Sequence, residues 1–103
     1  MELHARANAD GAWVMALHGE LDLAAAPSFR SAALQSLQDG WIDLVVDLES
    51  VSFIDSAGLG VLIGLRRRVR DLGGTLSVRV NDVVADLIAS ADLAPLFELD
   101  RVG

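Results

Sequence analysis

Residues 46–74 read VDLESVSFIDSAGLGVLIGLRRRVRDLGG. The apolar run IDLVVDLES at 42–50, rich in β-branched residues, predicts a buried strand. From residue 57 the apolar spacing becomes helical, and Gly73-Gly74 closes a predicted helix over 57–72. TLSVRV at 75–80 alternates and reads as a second strand. Strand, helix and strand in immediate succession are the repeating unit of a parallel α/β layer. Ser56 sits at the junction, after Asp55 and before a glycine-rich helix start, and four arginines follow at 66, 67, 68 and 70. The serine can be read as a nucleophile, a phosphate cradle, a helix cap or a switch.

The flanks extend the same pattern. Residues 2–8 are compatible with an edge strand, and Trp13 to His18 with a strand closed by Gly19. APSFRSAALQSLQDG reads as a helix, with Pro27 in its first turn and Gly40 at its end. Ala26, Phe29, Ala33 and Leu37 fall on one helical stripe. NDVVADLIASADL predicts a third helix, capped by Asn81 or Asp82, with Val84, Leu87 and Ile88 inward. A short strand near Phe97 to Leu99 ends the pattern. The expectation is a single α/β domain over 1–103, its sheet largely parallel and its parallel connections right-handed.

Composition removes several function classes. The chain has 103 residues, 52% of them hydrophobic and 22% charged, as expected of one folded domain. Its net charge of -7 disfavours generic binding to phosphate backbones, so no direct nucleic-acid partner is expected. No cysteine is present, which excludes disulfides and thiol chemistry and fits a cytoplasmic protein. No signal peptide is evident at the N-terminus, and no apolar run approaches the ~20 residues of a membrane span.

On the 57–72 helix, Gly58, Val61, Leu62, Leu65, Val69 and Leu72 form a predicted core stripe. Leu59 and Ile63 point roughly 110–150° away from its centre, on the side of Ser56, Gly60, Arg66, Arg67 and Arg70. That pattern predicts a small apolar patch rimmed by arginine, the composition of a protein interface. Ser56 itself is expected to be the N-cap. A helix start is also an anion site, and a phosphoryl group on Ser56 would add about -1.5 to -2 charge beside Asp55. A partner packing there would have to bury or answer that charge.

Rival chemistries fit less well. The hydrolase elbow G-x-S-x-G requires glycine where Ile54 stands, and the only histidines, His4 and His18, precede the serine. GLGVLIG is one residue too long for G-x-G-x-x-G. Glu20 with Asp22 is too sparse for a metal site, and no metal or cofactor is expected. RRRVR reads as a solvated, partner-facing helix surface in an acidic chain. No residue set supplies nucleophile, base and oxyanion site, so an enzyme is not expected.

The 46–74 stretch, with GELD at Gly19 to Asp22 upstream and VVADLIASADLAPLFEL downstream, closely resembles the STAS domain of bacterial anti-sigma factor antagonists over about residues 10 to 100. That resemblance implies the STAS fold, a mixed, mostly parallel sheet of four to five strands with three to four helices. It implies a cytoplasmic, non-enzymatic protein that, unphosphorylated, binds an anti-sigma factor. The partner would be a serine kinase of the histidine-kinase-like ATPase fold, and its capture would free the sigma factor. The same kinase would phosphorylate Ser56 and dissolve the complex, and a PP2C-type phosphatase would reverse the mark. Asp22 would lie near the phosphorylation site and contribute to kinase recognition, while Asp55, Gly58, Leu59 and Gly60 complete the motif. Ala57 departs from the family's frequent Ser or Thr, leaving one acceptor hydroxyl, and the apolar LAAAPSF after GELD is also unusual. The alternative is a constitutive STAS module of a transporter or signalling complex.

Overall fold

Each apolar run finds its place along one simple path. A computed structural model describes residues 1–102. The elements are β1 (Glu2–Ala7), β2 (Trp13–Leu21), α1 (Ala26–Gln38), β3 (Asp43–Ile54), α2 (Ser56–Asp71), β4 (Thr75–Val80), α3 (Asp82–Ser90) and β5 (Glu98–Arg101), with a 3₁₀ turn at Ala94–Leu96. The five strands lie in chain order, β1-β2-β3-β4-β5. β1 runs antiparallel to β2, and the three following pairings are parallel. This is the expected mixed, mostly parallel sheet, with three helices.

The buried residues of all three helices join Leu44, Val46 and Leu48 of β3 and Val78 and Val80 of β4 in one apolar cluster. The helices therefore cover one face of the sheet. Strand alternation turns Asp47, Glu49 and Arg79 to the other face. There the Arg79 guanidinium lies 3.8 Å from Asp47, 3.4 Å from Glu49 and 3.8 Å from Asp100.

Several boundaries differ from expectation. Gly19 does not close β2; it takes a positive φ of 103° inside the strand. The pairing with β3 slips there, and the strand continues to Leu21. Glycine tolerates the bulged backbone that this slip requires. β3 likewise runs past Ser50, because Val51 and Ile54 still bury their side chains, and Ile54 pairs with Leu21. The last strand is Glu98–Arg101 rather than Phe97 to Leu99, since Phe97 ends the 3₁₀ turn and is buried beneath it.

The α2 stripe is also turned. Gly58, Leu59, Leu62, Leu65 and Val69 are buried. Val61 is only half-buried, beside α1, and Leu72 is 52% exposed just beyond the helix. Without those two and with Leu59 included, the centre of the buried arc swings by roughly 40° toward Leu59. Leu59 is therefore a core residue, 8% exposed, and not part of an outward patch. A hydrophobic pattern fixes a helix's buried arc only as well as every apolar residue in it belongs there, and α2 packs on α1 as well as on the sheet.

Candidate functional site

The turn from β3 to α2 is built around one carboxylate. Asp55, not Ser56, is the N-cap of α2. Its Oδ1 accepts from the backbone N–H of Ala57 at 2.9 Å and of Gly58 at 3.2 Å. Its Oδ2 accepts from the N–H of Leu23 at 3.1 Å. The N–H of Asp55 in turn donates to the Leu21 carbonyl at 3.3 Å. One side chain thus satisfies two orphan donors of a helix start and ties that start to the segment after GELD. Ser56 becomes the first helical residue, exposed, with its hydroxyl released from the capping role. The correction is one residue in register, and it follows from Ile54 being the last inward side chain of β3.

Gly58 has a structural reason. A Cβ there would meet the Leu21 carbonyl oxygen at 2.5 Å and Ile54 Cγ1 at 2.9 Å. It lies under the site and lets α2 sit close on the ends of β2 and β3. Gly60 differs, because a Cβ there would meet nothing within 4 Å, and the residue is exposed.

Asp22 stands at the start of the same turn. Its Oδ1 accepts from Ala25 N–H at 3.0 Å, so the carboxylate serves the turn into α1. The direct tie to Asp55 is made one residue later, through Leu23. On the outer face of α2, Ser56, Gly60, Arg67 and Arg70 are exposed, and Ile63 and Arg66 are half-buried. Leu59 is absent from that face. Two exposed apolar residues that the sequence reading passed over lie in the neighbouring segments: Leu23, 75% exposed, after β2, and Phe53, 43% exposed, near the end of β3. Leu23 follows GELD directly, and the unusually apolar LAAAPSF segment was its signal. Phe53 carried none, because its exposure depends on how far β3 extends.

Beside this face runs a groove of about 450 Å³ between α1 and α2. Leu23 and Ala57 line it near the Ser56 end, Gly60, Val61 and Gly64 line its α2 side, and Arg30 and Arg68 stand one on each helix. Among the described residues, no group of three or more His, Cys, Asp or Glu is placed to hold a metal. No described helix is long and apolar enough to cross a membrane. The arrangement offers a solitary hydroxyl at a positive helix end, an apolar rim and free guanidiniums, which is equipment for regulated binding.

Comparison with known proteins identifies the family and the fold. The STAS domain family model matches residues 5–102. An anti-sigma-B factor antagonist of Staphylococcus aureus is 38% identical over 84 residues, covering 81% of this chain and 78% of that protein. An anti-sigma factor antagonist from Mycobacterium paratuberculosis superposes with a TM-score of 0.86 at 26% identity, covering 96% of this chain and 84% of the other. The phosphorylated form of the Bacillus cell fate determinant SpoIIAA shares the fold, with a TM-score of 0.76 at 20% identity over 99% of this chain and 92% of its own.

Proposed function

The chain belongs to the STAS domain family, and we propose that it is an anti-sigma factor antagonist switched by phosphorylation of Ser56. In its unphosphorylated form it binds an anti-sigma factor that is a serine kinase, and the sigma factor is released. The kinase transfers the terminal phosphoryl group of ATP to Ser56 Oγ, the hydroxyl proton leaves, and ADP and the modified protein separate. A PP2C-type phosphatase returns the hydroxyl. The exposed serine at the first helical position, beside a carboxylate that already caps the helix, carries this reading. That a protein of this fold exists in a phosphorylated form supports it.

The switch needs no change of fold. Phosphorylation places about two negative charges next to Asp55, at the end of α2 where Leu23 is exposed, while Arg66, Arg67 and Arg70 stand roughly three to four turns further along the helix. A partner closing over that end of the helix would bury charge without a counter-ion, at a cost of several kcal/mol. Asp22 contributes by holding the turn that presents Leu23.

The test compares wild type, Ser56→Ala and Ser56→Asp in binding to the purified anti-sigma factor kinase of the source organism. Ser56→Ala is expected to bind like wild type and to accept no phosphate, as read by intact-mass spectrometry. Ser56→Asp is expected to bind at least about a hundredfold more weakly. Its melting temperature should stay within about 2 °C of wild type, as for a surface substitution. Equal binding by Ser56→Asp and wild type would sink the switch and favour a constitutive STAS module.

A further inference from the structure

The groove between α1 and α2 is not needed by the fold. Gly60 and Gly64 are interior helical residues, and a Cβ on either would meet nothing within 4 Å. Glycine weakens a helix interior relative to alanine, and no internal neighbour demands it here. Gly58, two residues before Gly60, is the contrast, since the body of the protein excludes a side chain there. What Gly60 and Gly64 provide is an open floor on which an external backbone can approach α2 closely.

Charge and shape narrow the occupant. The chain carries net charge -7, yet Arg30 and Arg68 both line the groove, one from each helix. Among the described residues, the arginine ion pairs involve Arg79 and Arg101 only. The groove follows α2 from Ala57 to Arg68, roughly 16 Å at 1.5 Å per residue, the length of about three helical turns. Leu23, three-quarters exposed, stands at its Ser56 end. A second copy packing groove to groove would bring arginines to arginines. An acyl chain would answer the apolar floor but leave a guanidinium on one wall unmatched.

We propose that this groove receives an amphipathic helix of the anti-sigma factor, with small and apolar residues on its buried stripe and an acidic side chain toward each of Arg30 and Arg68. The inference rests on the antagonist reading above and specifies how the partner is held. The helix enters beside Ser56, so the phosphate stands at the mouth of the groove.

The experiment titrates the purified anti-sigma factor kinase of the source organism into wild type, Gly64→Leu, Gly64→Ala, the double variant Arg30→Glu/Arg68→Glu, and Ser56→Asp. Binding is read by isothermal titration at two salt concentrations, and folding by circular dichroism. Gly64→Leu and the double variant should each lose at least tenfold in affinity while keeping the wild-type spectrum. Gly64→Ala should melt above wild type yet bind more weakly, a combination that simple loss of folding cannot give. Wild-type affinity should fall with added salt, and the double variant should lose most of that dependence. If Ser56→Asp loses binding while the groove variants stay within twofold of wild type, the groove proposal is wrong and the switch stands. If wild type does not bind the kinase, both fall together; if Ser56→Asp binds as well as wild type while the groove variants lose affinity, the switch is wrong and the groove stands. Sedimentation of the protein alone adds a further outcome: a dimer made monomeric by Gly64→Leu would assign the groove to a second copy and overturn the proposal.

Discussion

Two turns leave the same edge of the sheet, and they solve the same problem with different chemistry. β3 passes into α2 through Asp55, and the adjacent parallel strand β4 passes into α3 through Asn81. Each residue caps its helix in extended backbone. Asp55 meets only N–H groups, from Ala57, Gly58 and Leu23, and a carboxylate accepts from all three. Asn81 meets both kinds of partner. Its Oδ1 accepts from Val84 N–H at 2.8 Å, and its Nδ2 donates to the carbonyls of Glu49 at 2.9 Å and Val51 at 2.8 Å. The amide stitches α3 to β3, where the strand's own carbonyls need donors; the carboxylate stitches α2 to the post-GELD turn, where the backbone offers only protons. The third residue after each cap differs in the same spirit. Gly58 lets α2 press on Leu21, whereas Val84 fills the core under α3.

Exchanging the two chemistries gives the largest expected effect. Asn81→Asp keeps the acceptor for Val84 but points a carboxylate at two carbonyls that lose their donor. The loss should be about 3 kcal/mol or more, for a half-buried unpaired charge and unsatisfied acceptors. For a domain of this size that lowers the melting temperature by more than about 10 °C in a thermal scan. A melting temperature within a few degrees of wild type would mean that the amide donor does not hold this turn.

The second comparison lies within α2. Gly58→Ala forces a methyl against Leu21 and Ile54, and overpacking of that kind costs about 1–3 kcal/mol. The better helix propensity of alanine returns at most about 1 kcal/mol. Gly60→Ala meets nothing and should gain up to about 1 kcal/mol. Denaturant midpoints of the two variants should therefore move in opposite directions. Movement in the same direction would break the distinction between a glycine held by packing and one left open.

Much of this was legible in the sequence because periodicity and punctuation agree. Pro27 and Gly40 bracket α1, and Gly73-Gly74 closes α2. Of the two candidate caps for α3, Asn81 and Asp82, it is Asn81 that caps. The misreadings share one cause, that local signals are degenerate at the scale of one residue. Asp and Ser are both good caps, and only the extent of β3, set by Ile54 pairing with Leu21, decides between Asp55 and Ser56. Leu59 and Val61 are both apolar, and only the packing of α2 against α1 decides which is buried. The site suffered most, because Leu23 and Phe53 are defined by tertiary exposure and no spacing rule sees that. Ser56 itself was legible, since the junction of a strand and a glycine-rich helix isolates it whatever the register of the cap.

Asp55→Asn is the smallest and most discriminating change. Asparagine is as good an N-cap as aspartate, so the two helix donors should keep an oxygen. An amide has only one oxygen, however, and the Leu23 N–H then faces an NH₂ group. The cost is about 1 kcal/mol, the net worth of one hydrogen bond. The informative signal is local. By hydrogen exchange, the Leu23 amide should lose protection while those of Ala57 and Gly58 keep most of theirs. The opposite pattern, with Leu23 protected and the helix start frayed, would mean that the turn outcompetes the helix for the single oxygen. Either way the same carboxylate that caps the helix of Ser56 also fixes Leu23, three-quarters exposed beside it. Negative charge added at Ser56 acts on the residue that organises both.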